Sequence, residues 1–125
     1  MIYGIGIDLC SIKRVQNIKY LNKFANKFLT SDEIEYLDTL DQKNSVNYLA
    51  KQFAAKEALS KALGTGLTGD VKLNLIEIDR DQSGKPYIKM NDHMKTILSK
   101  IGVNSTFVSL ADDSDYAIAT VILER

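Results

Sequence analysis

Tryptophan is absent from the 125 residues, and proline, cysteine and histidine each occur once. A single cysteine, Cys10, excludes an internal disulfide, so a reducing compartment is expected. Cys10 stands two residues past Asp8, but no histidine sits at a telling position beside it. A buried structural thiol is therefore preferred to a nucleophile. The one histidine, His93, follows Asp92 on a late helical segment and reads as a surface or helix-N-terminal residue rather than a catalytic one. Charge of neither sign is in excess, with 16 basic and 16 acidic residues. That argues against a general nucleic-acid coat and leaves room for a local basic patch. No apolar run approaches the ~20 residues of a membrane span. No basic leader or cleavage site precedes the first strand-like segment, so no signal peptide is expected and the cytoplasm is the predicted location. Repeats and low-complexity linkers are also missing. The length predicts one domain, residues 1–125, large enough to bury roughly two-thirds of its unfolded surface.

The chain does carry strong local patterns. Ile2 to Asp8 (IYGIGID) reads as a short buried strand, and Ser11 as the cap of a helix that follows. Ile12, Val15, Ile18, Leu21, Phe24 and Phe28 recur at helical spacing, where Tyr20, Phe24 and Phe28 are core or interface residues. Thr30-Ser31-Asp32-Glu33 has the form of a capping box. The acidic stretch Asp32, Glu33, Glu35, Asp38 and Asp41 reads as a solvated helix face. Lys43 to Asn47 is predicted to be a loop. Val71–Asp79 and Pro86–Met90 read as strands around a turn at Asp81–Lys85. Asp92 can cap a helix that ends at Gly102. Thr106–Ala111 and Tyr116–Glu124 form a closing hairpin around Asp112–Asp115, where a turn is preferred to a calcium loop. Helices gather in the first half and strands in the second, which predicts an α+β fold.

Two segments carry chemistry. Phe53 to Gly66 (FAAKEALSKALGTG) reads as an Ala- and Leu-rich helix that Gly64 ends in a left-handed conformation. Its polar residues Lys56, Glu57, Ser60 and Lys61 form one stripe, and a bound metal or phosphate would supply their partners. The Glu57–Lys61 spacing is also that of an ordinary helix salt bridge. The second segment is Gly4-Ile5-Gly6-Ile7-Asp8. Its glycines admit a phosphate or another backbone, and Asp8 either caps the next helix or meets a ligand. It lacks the third glycine and downstream acid of a dinucleotide fingerprint. Paired with Glu57, Asp8 suits a hard cation such as Mg²⁺, which takes one or two protein carboxylates and fills its other positions with water and substrate phosphates. Lys56 and Lys61 would neutralise phosphate oxygens beside it.

GIGID, followed about fifty residues later by KEALSK, resembles the holo-acyl-carrier-protein synthases, the small trimeric members of the 4′-phosphopantetheinyl transferase superfamily. The resemblance extends over nearly the whole chain, through Lys13-Arg14, Leu29-Thr30, Tyr48-Leu49-Ala50-Lys51, Ile76-Glu77-Ile78, Gly84-Lys85-Pro86 and Tyr116-Ala117. It implies that family's fold, an antiparallel sheet packed against a long buried helix, in a homotrimer whose sites lie at subunit interfaces. It implies transfer of the phosphopantetheine arm of coenzyme A to a serine of apo acyl carrier protein, for fatty acid biosynthesis, releasing adenosine 3′,5′-bisphosphate. Asp8 and Glu57 would hold Mg²⁺, Lys61 would contact the phosphates, and Glu57 or a water on the ion would take the serine proton. Gly64, Gly66, Lys85 and Pro86 would lie near the nucleotide, with Lys56 and Ser60. Lys13 and Arg14 would meet an acidic helix of the carrier protein. Gln52 stands where many members have arginine, and Ala111-Asp112 where many have Ser-His. The alternatives are a transferase serving the carrier domain of a specialised synthase, or a non-catalytic nucleotide-binding module of the same fold.

Overall fold

A computed structural model describes residues 1–64 and 71–125. Strand β1 (Ile2–Ser11) leads into a short helix α1 (Ile12–Gln16), followed by α2 (Leu21–Phe28), α3 (Ser31–Leu37) and the long α4 (Gln42–Leu63). A 3₁₀ turn at Leu73–Leu75 precedes the hairpin β2 (Ile78–Arg80) and β3 (Pro86–Ile88), helix α5 (Asp92–Ile101), and the hairpin β4 (Ser105–Asp112) and β5 (Tyr116–Glu124). The three-stranded sheet has the order β1-β5-β4 and is antiparallel throughout. It is an α+β arrangement in which α4 lies across β1 and β5.

Local chemistry explains most boundaries. The Ser11 hydroxyl caps α1, and Thr30 with Glu33 completes a capping box on α3. Gly64 at φ 80° and Gly102 at φ 71° end α4 and α5 in the left-handed region. Four expectations need correction. The periodic run from Ile12 to Phe28 is two helices, because the chain leaves the helix at Asn17 and restarts after Tyr20. Residues 43–47 are not a loop: the Asp41 carboxylate accepts from Asn44 N and starts α4 at Gln42. Helix α5 is capped by Asn91, not Asp92. Between Val71 and Asp79 the chain is mostly irregular, with only Ile78–Arg80 paired to β3.

Strand β1 is buried on one face only. Gly4, Gly6 and Asp8 face α4, whereas Ile5, Ile7 and Leu9 point outward and are exposed. A Cβ on Gly6 would lie 1.7 Å from the carbonyl oxygen of Ala58, and one on Gly4 would lie 2.0 Å from that of Ala62. The glycines therefore admit the backbone of α4, not a phosphate. Small residues on both sides bring strand and helix into direct contact, and this contact sets where Asp8 stands relative to α4.

Candidate active site

Asp8 sits near the C-terminal end of β1, paired in register with Ala119 of β5. Its carboxylate is partly buried and Oδ1 lies 3.1 Å from Lys61 Nζ. Lys61, in the last turn of α4, also donates to the carbonyl of Ile7 at 2.9 Å. Glu57 lies one turn earlier on the same helix side, half-buried. Burial raises its carboxyl pKa above the ordinary value; the Asp8 carboxylate raises it further, and Lys61 opposes both. So Asp8, Glu57 and Lys61 come together from two distant segments, and Asp8 does not cap α1, a role held by Ser11. Two carboxylates brought together from a strand and a helix, one of them half-buried, are a fit donor set for a divalent cation.

The single polar stripe expected on α4 is in fact two. Lys56 and Ser60 turn to the other side of the helix. Lys56 is fully buried, at 0% exposure, and its ammonium donates to Phe28 O at 2.6 Å, Glu33 Oε1 at 2.5 Å and Leu73 O at 3.0 Å. All three donors are used, so Lys56 has none left for a phosphate. Burial lowers its pKa, and Glu33 opposes that shift. Ser60 is also buried, its hydroxyl returned to Glu57 O at 2.8 Å. Gly64 ends α4 beyond Lys61, and Gly66 lies outside the described residues.

Glu33 is the residue that sequence reasoning missed. The sequence places it on a solvated acidic face, yet it is only 3% exposed. Its Oε1 accepts from Thr30 N and Lys56 Nζ, and its Oε2 from Ile78 N and the amide of Gln52. One signal was available: Glu33 and Leu37 are four apart, and Leu37 is apolar, so they share the inward face of α3. Gln52 gives its amide to Glu33 and to Ile78 O, which directs it into this network.

The remaining candidates lie apart from Asp8. Lys85 is on the β2–β3 turn, where Asp81 Oδ1 accepts from Ser83 N and Lys85 N, and Pro86 opens β3, which lies against β4. Ala111 and Asp112 end β4, with Asp112 3.8 Å from Lys51. A cleft of about 1000 Å³ opens on this side, lined by Tyr36, Tyr48, Lys51, Arg80, Lys89 and Asp112 among others. It lies toward β4, two strands from β1. Lys13 and Arg14 are exposed on α1. Cys10 is half-buried against both halves of the core, and burial raises its thiol pKa. His93 is half-buried on α5 and its Nε2 accepts from Lys72 N at 3.3 Å. No described helix is long and apolar enough to cross a membrane.

Comparison with known proteins gives this geometry a context. Residues 4–121 match the 4′-phosphopantetheinyl transferase superfamily. The chain is 43% identical over 126 residues to a holo-[acyl-carrier-protein] synthase of Buchnera aphidicola subsp. Acyrthosiphon pisum, covering 99% of this chain and 98% of that one. It is similar to the crystal structure of the holo-[acyl-carrier-protein] synthase of Neisseria meningitidis, with a TM-score of 0.91, 39% identity and full coverage of both chains. It is also similar to the Bacillus anthracis holo-(acyl-carrier-protein) synthase in complex with CoA (3′,5′-ADP), with a TM-score of 0.83 and 33% identity over 98% of this chain and 96% of that one.

Proposed function

The chain belongs to the 4′-phosphopantetheinyl transferase superfamily, and from that premise we propose that it is a holo-acyl-carrier-protein synthase, one transferase domain over residues 1–125 that acts in the cytoplasm. It moves the phosphopantetheine arm of coenzyme A onto a serine of apo acyl carrier protein. The serine oxygen bonds to the phosphorus that bears the pantetheine arm. The bond from that phosphorus to the bridging oxygen breaks, and adenosine 3′,5′-bisphosphate leaves. The observation that carries the reading is the meeting of Asp8, Glu57 and Lys61 at one edge of the sheet.

Phosphoryl transfer asks a protein mainly for positioning and charge neutralisation. Asp8 and Glu57 would hold Mg²⁺, which when bound would neutralise pyrophosphate charge. Lys61, anchored by Ile7 O and Asp8, keeps its ammonium at the mouth of the site and faces the phosphates. The serine proton needs an acceptor, which would be Glu57 or a water on the ion. Lys13 and Arg14 offer positive charge to an acidic carrier surface.

The same reading includes a homotrimer. Across the sheet, Ile5 pairs with Ile122 and that residue with Phe107, so all three share the outer face. Ile5, Ile7, Leu9, Phe107 and Tyr116 are exposed there. An apolar face of this kind supports association. The split of the candidate residues supports it too, since Asp8 stands on the β1 edge and the large cleft on the β4 side. A second copy that brings its β4 edge to the first copy's β1 edge would join them, with Lys85, Pro86 and Asp112 as the neighbour's share. The test is to incubate the protein with apo carrier protein, coenzyme A and Mg²⁺ and weigh the carrier. The expected result is the added mass of one phosphopantetheine arm; an unchanged carrier mass overturns the reading.

A further inference from the structure

Helix α4 is held from two nearly opposite sides. On one side the carbonyls of Ala58 and Ala62 rest on Gly6 and Gly4 of β1. On the other, the Lys56 ammonium reaches Phe28 O at the end of α2, Glu33 on α3 and Leu73 O in the 3₁₀ turn. Lys56 and Ala58 are two residues apart, about 200° around a helix of 3.6 residues per turn. Glu57 falls between them and projects through the gap toward Asp8.

The sheet-side grip is close but smooth. Ala50, Ala54, Ala55, Ala58 and Ala62 are all buried and carry only methyl groups. Methyls packed on glycines bring the elements near each other and offer little resistance to a small turn of the helix about its axis. Resistance must come from contacts with direction. Lys61, bonded to Ile7 O and Asp8 from a half-exposed side chain, supplies one on the sheet side. The far side needs a buried contact with direction. The Lys56–Glu33 pair is that contact, because three acceptors fix the ammonium and four donors fix the carboxylate. A buried ion pair is weak evidence for stability, and its best-attested role is to fix one register among several. A side-chain tip stands roughly 6 Å from the helix axis. A turn of about 20° would carry the Glu57 carboxylate about 2 Å, as much as a whole Mg–O bond.

We propose that Lys56 and Glu33 are positioning residues for the transfer reaction: they key the rotation of α4 so that Glu57 meets Asp8. Neither touches the reacting groups. The inference rests on the reading of Asp8 and Glu57 as a metal-binding pair. It assigns the buried Lys56 to the setting of the site instead of to phosphate binding, and it gives Glu33 of α3 a part in placing Glu57, which it does not bond.

The test compares Mn²⁺ binding, measured without substrate by the loss of the free-ion resonance signal, with steady-state transfer. The double variant Glu33→Gln/Lys56→Met removes both charges together, so no buried charge is left alone. It is expected to melt within a few degrees of the wild type. Its Mn²⁺ affinity should fall at least tenfold, and kcat at least tenfold, with carrier-protein KM unchanged because Lys13 and Arg14 are intact. Glu33→Asp keeps the charge but withdraws it by one methylene, and should lose several-fold in Mn²⁺ affinity with its melting temperature kept. It decides the matter if the double variant does not fold. Wild-type Mn²⁺ affinity and kcat in a folded double variant, or in Glu33→Asp, overturn the inference. An Asp8→Asn control separates the two readings. If it leaves Mn²⁺ binding unchanged, the metal reading fails and the clamp is judged on kcat alone.

Discussion

Glu57 is held where a carboxylate is not at ease. Its pKa is raised by burial and by Asp8. A raised carboxyl pKa adds stability below the ordinary value of 4.5, and that stability is lost as pH rises through the higher folded value. At pH 7 the ionised Glu57 therefore strains the metal-free protein. Glu57→Gln is expected to raise the melting temperature at pH 7, with the gain vanishing at acid pH, and to abolish transfer. Scanning calorimetry across pH beside the carrier-mass assay checks both. Wild-type transfer should fall at acid pH, where protons compete with the cation for the Glu57 carboxylate. Asp8→Ala should also abolish transfer with the fold kept, and near-normal turnover at ordinary Mg²⁺ would place the metal elsewhere. Arg14 is exposed on α1. Arg14→Glu replaces attraction to an acidic partner with repulsion, so carrier affinity should fall far more than coenzyme A affinity. Isothermal titration of each at low and moderate salt separates the two, and an unchanged carrier affinity removes Arg14 from the interface.

Among the elements, the β1–α4 contact decides the most. Gly6→Ala would drive a methyl into the Ala58 carbonyl, and backbone on both sides must yield. The expected loss is about 2–4 kcal/mol in urea unfolding, at the high end of single substitutions. Transfer should fall as well, since Asp8 is two residues along the same strand; wild-type stability would show that the strand can move away freely. The sequence made much of this level readable. Gly64 and Gly102 stop their helices, the capping box at Thr30 starts α3, and Asp8, Glu57 and Lys61 meet. Each rests on a local rule or on residues whose chemistry has few other uses. What stayed hidden depends on distant partners. Glu33 reads as a surface acid until Lys56, 23 positions away, is placed beside it. The break between α1 and α2 has no glycine or proline to announce it; α1 packs on α4, whereas α2 packs on the 3₁₀ turn. The glycines of β1 allowed two readings, and only the position of the α4 backbone chose between them.

At the scale of the whole molecule, the outer sheet face asks for cover. Ile7 is 55% exposed midway along the β1 edge of that face, in the row with Thr120 and Ser109. Light scattering should find three chains of 14.0 kDa, about 42 kDa. Ile7→Glu should give monomers, with the fold retained by circular dichroism and transfer reduced at least tenfold, because each copy would lack its neighbour's share. Activity of the wild type should likewise fall on dilution. A monomer with full specific activity at nanomolar concentration would sink the shared site. The pairing of β1 with β5 has one more consequence, and it concerns time. Asp8 finds its strand partner at Ala119, more than a hundred positions later. During synthesis Glu57 and Lys61 have left the ribosome long before β5 exists, and β1 must wait as an unpaired, Ile-rich edge. The site is thus closed by a segment made more than a hundred residues after Asp8. A nascent chain can fold helices early, yet it stays inert until the sheet is finished, and the waiting strand is the interval in which a chaperone has most to guard.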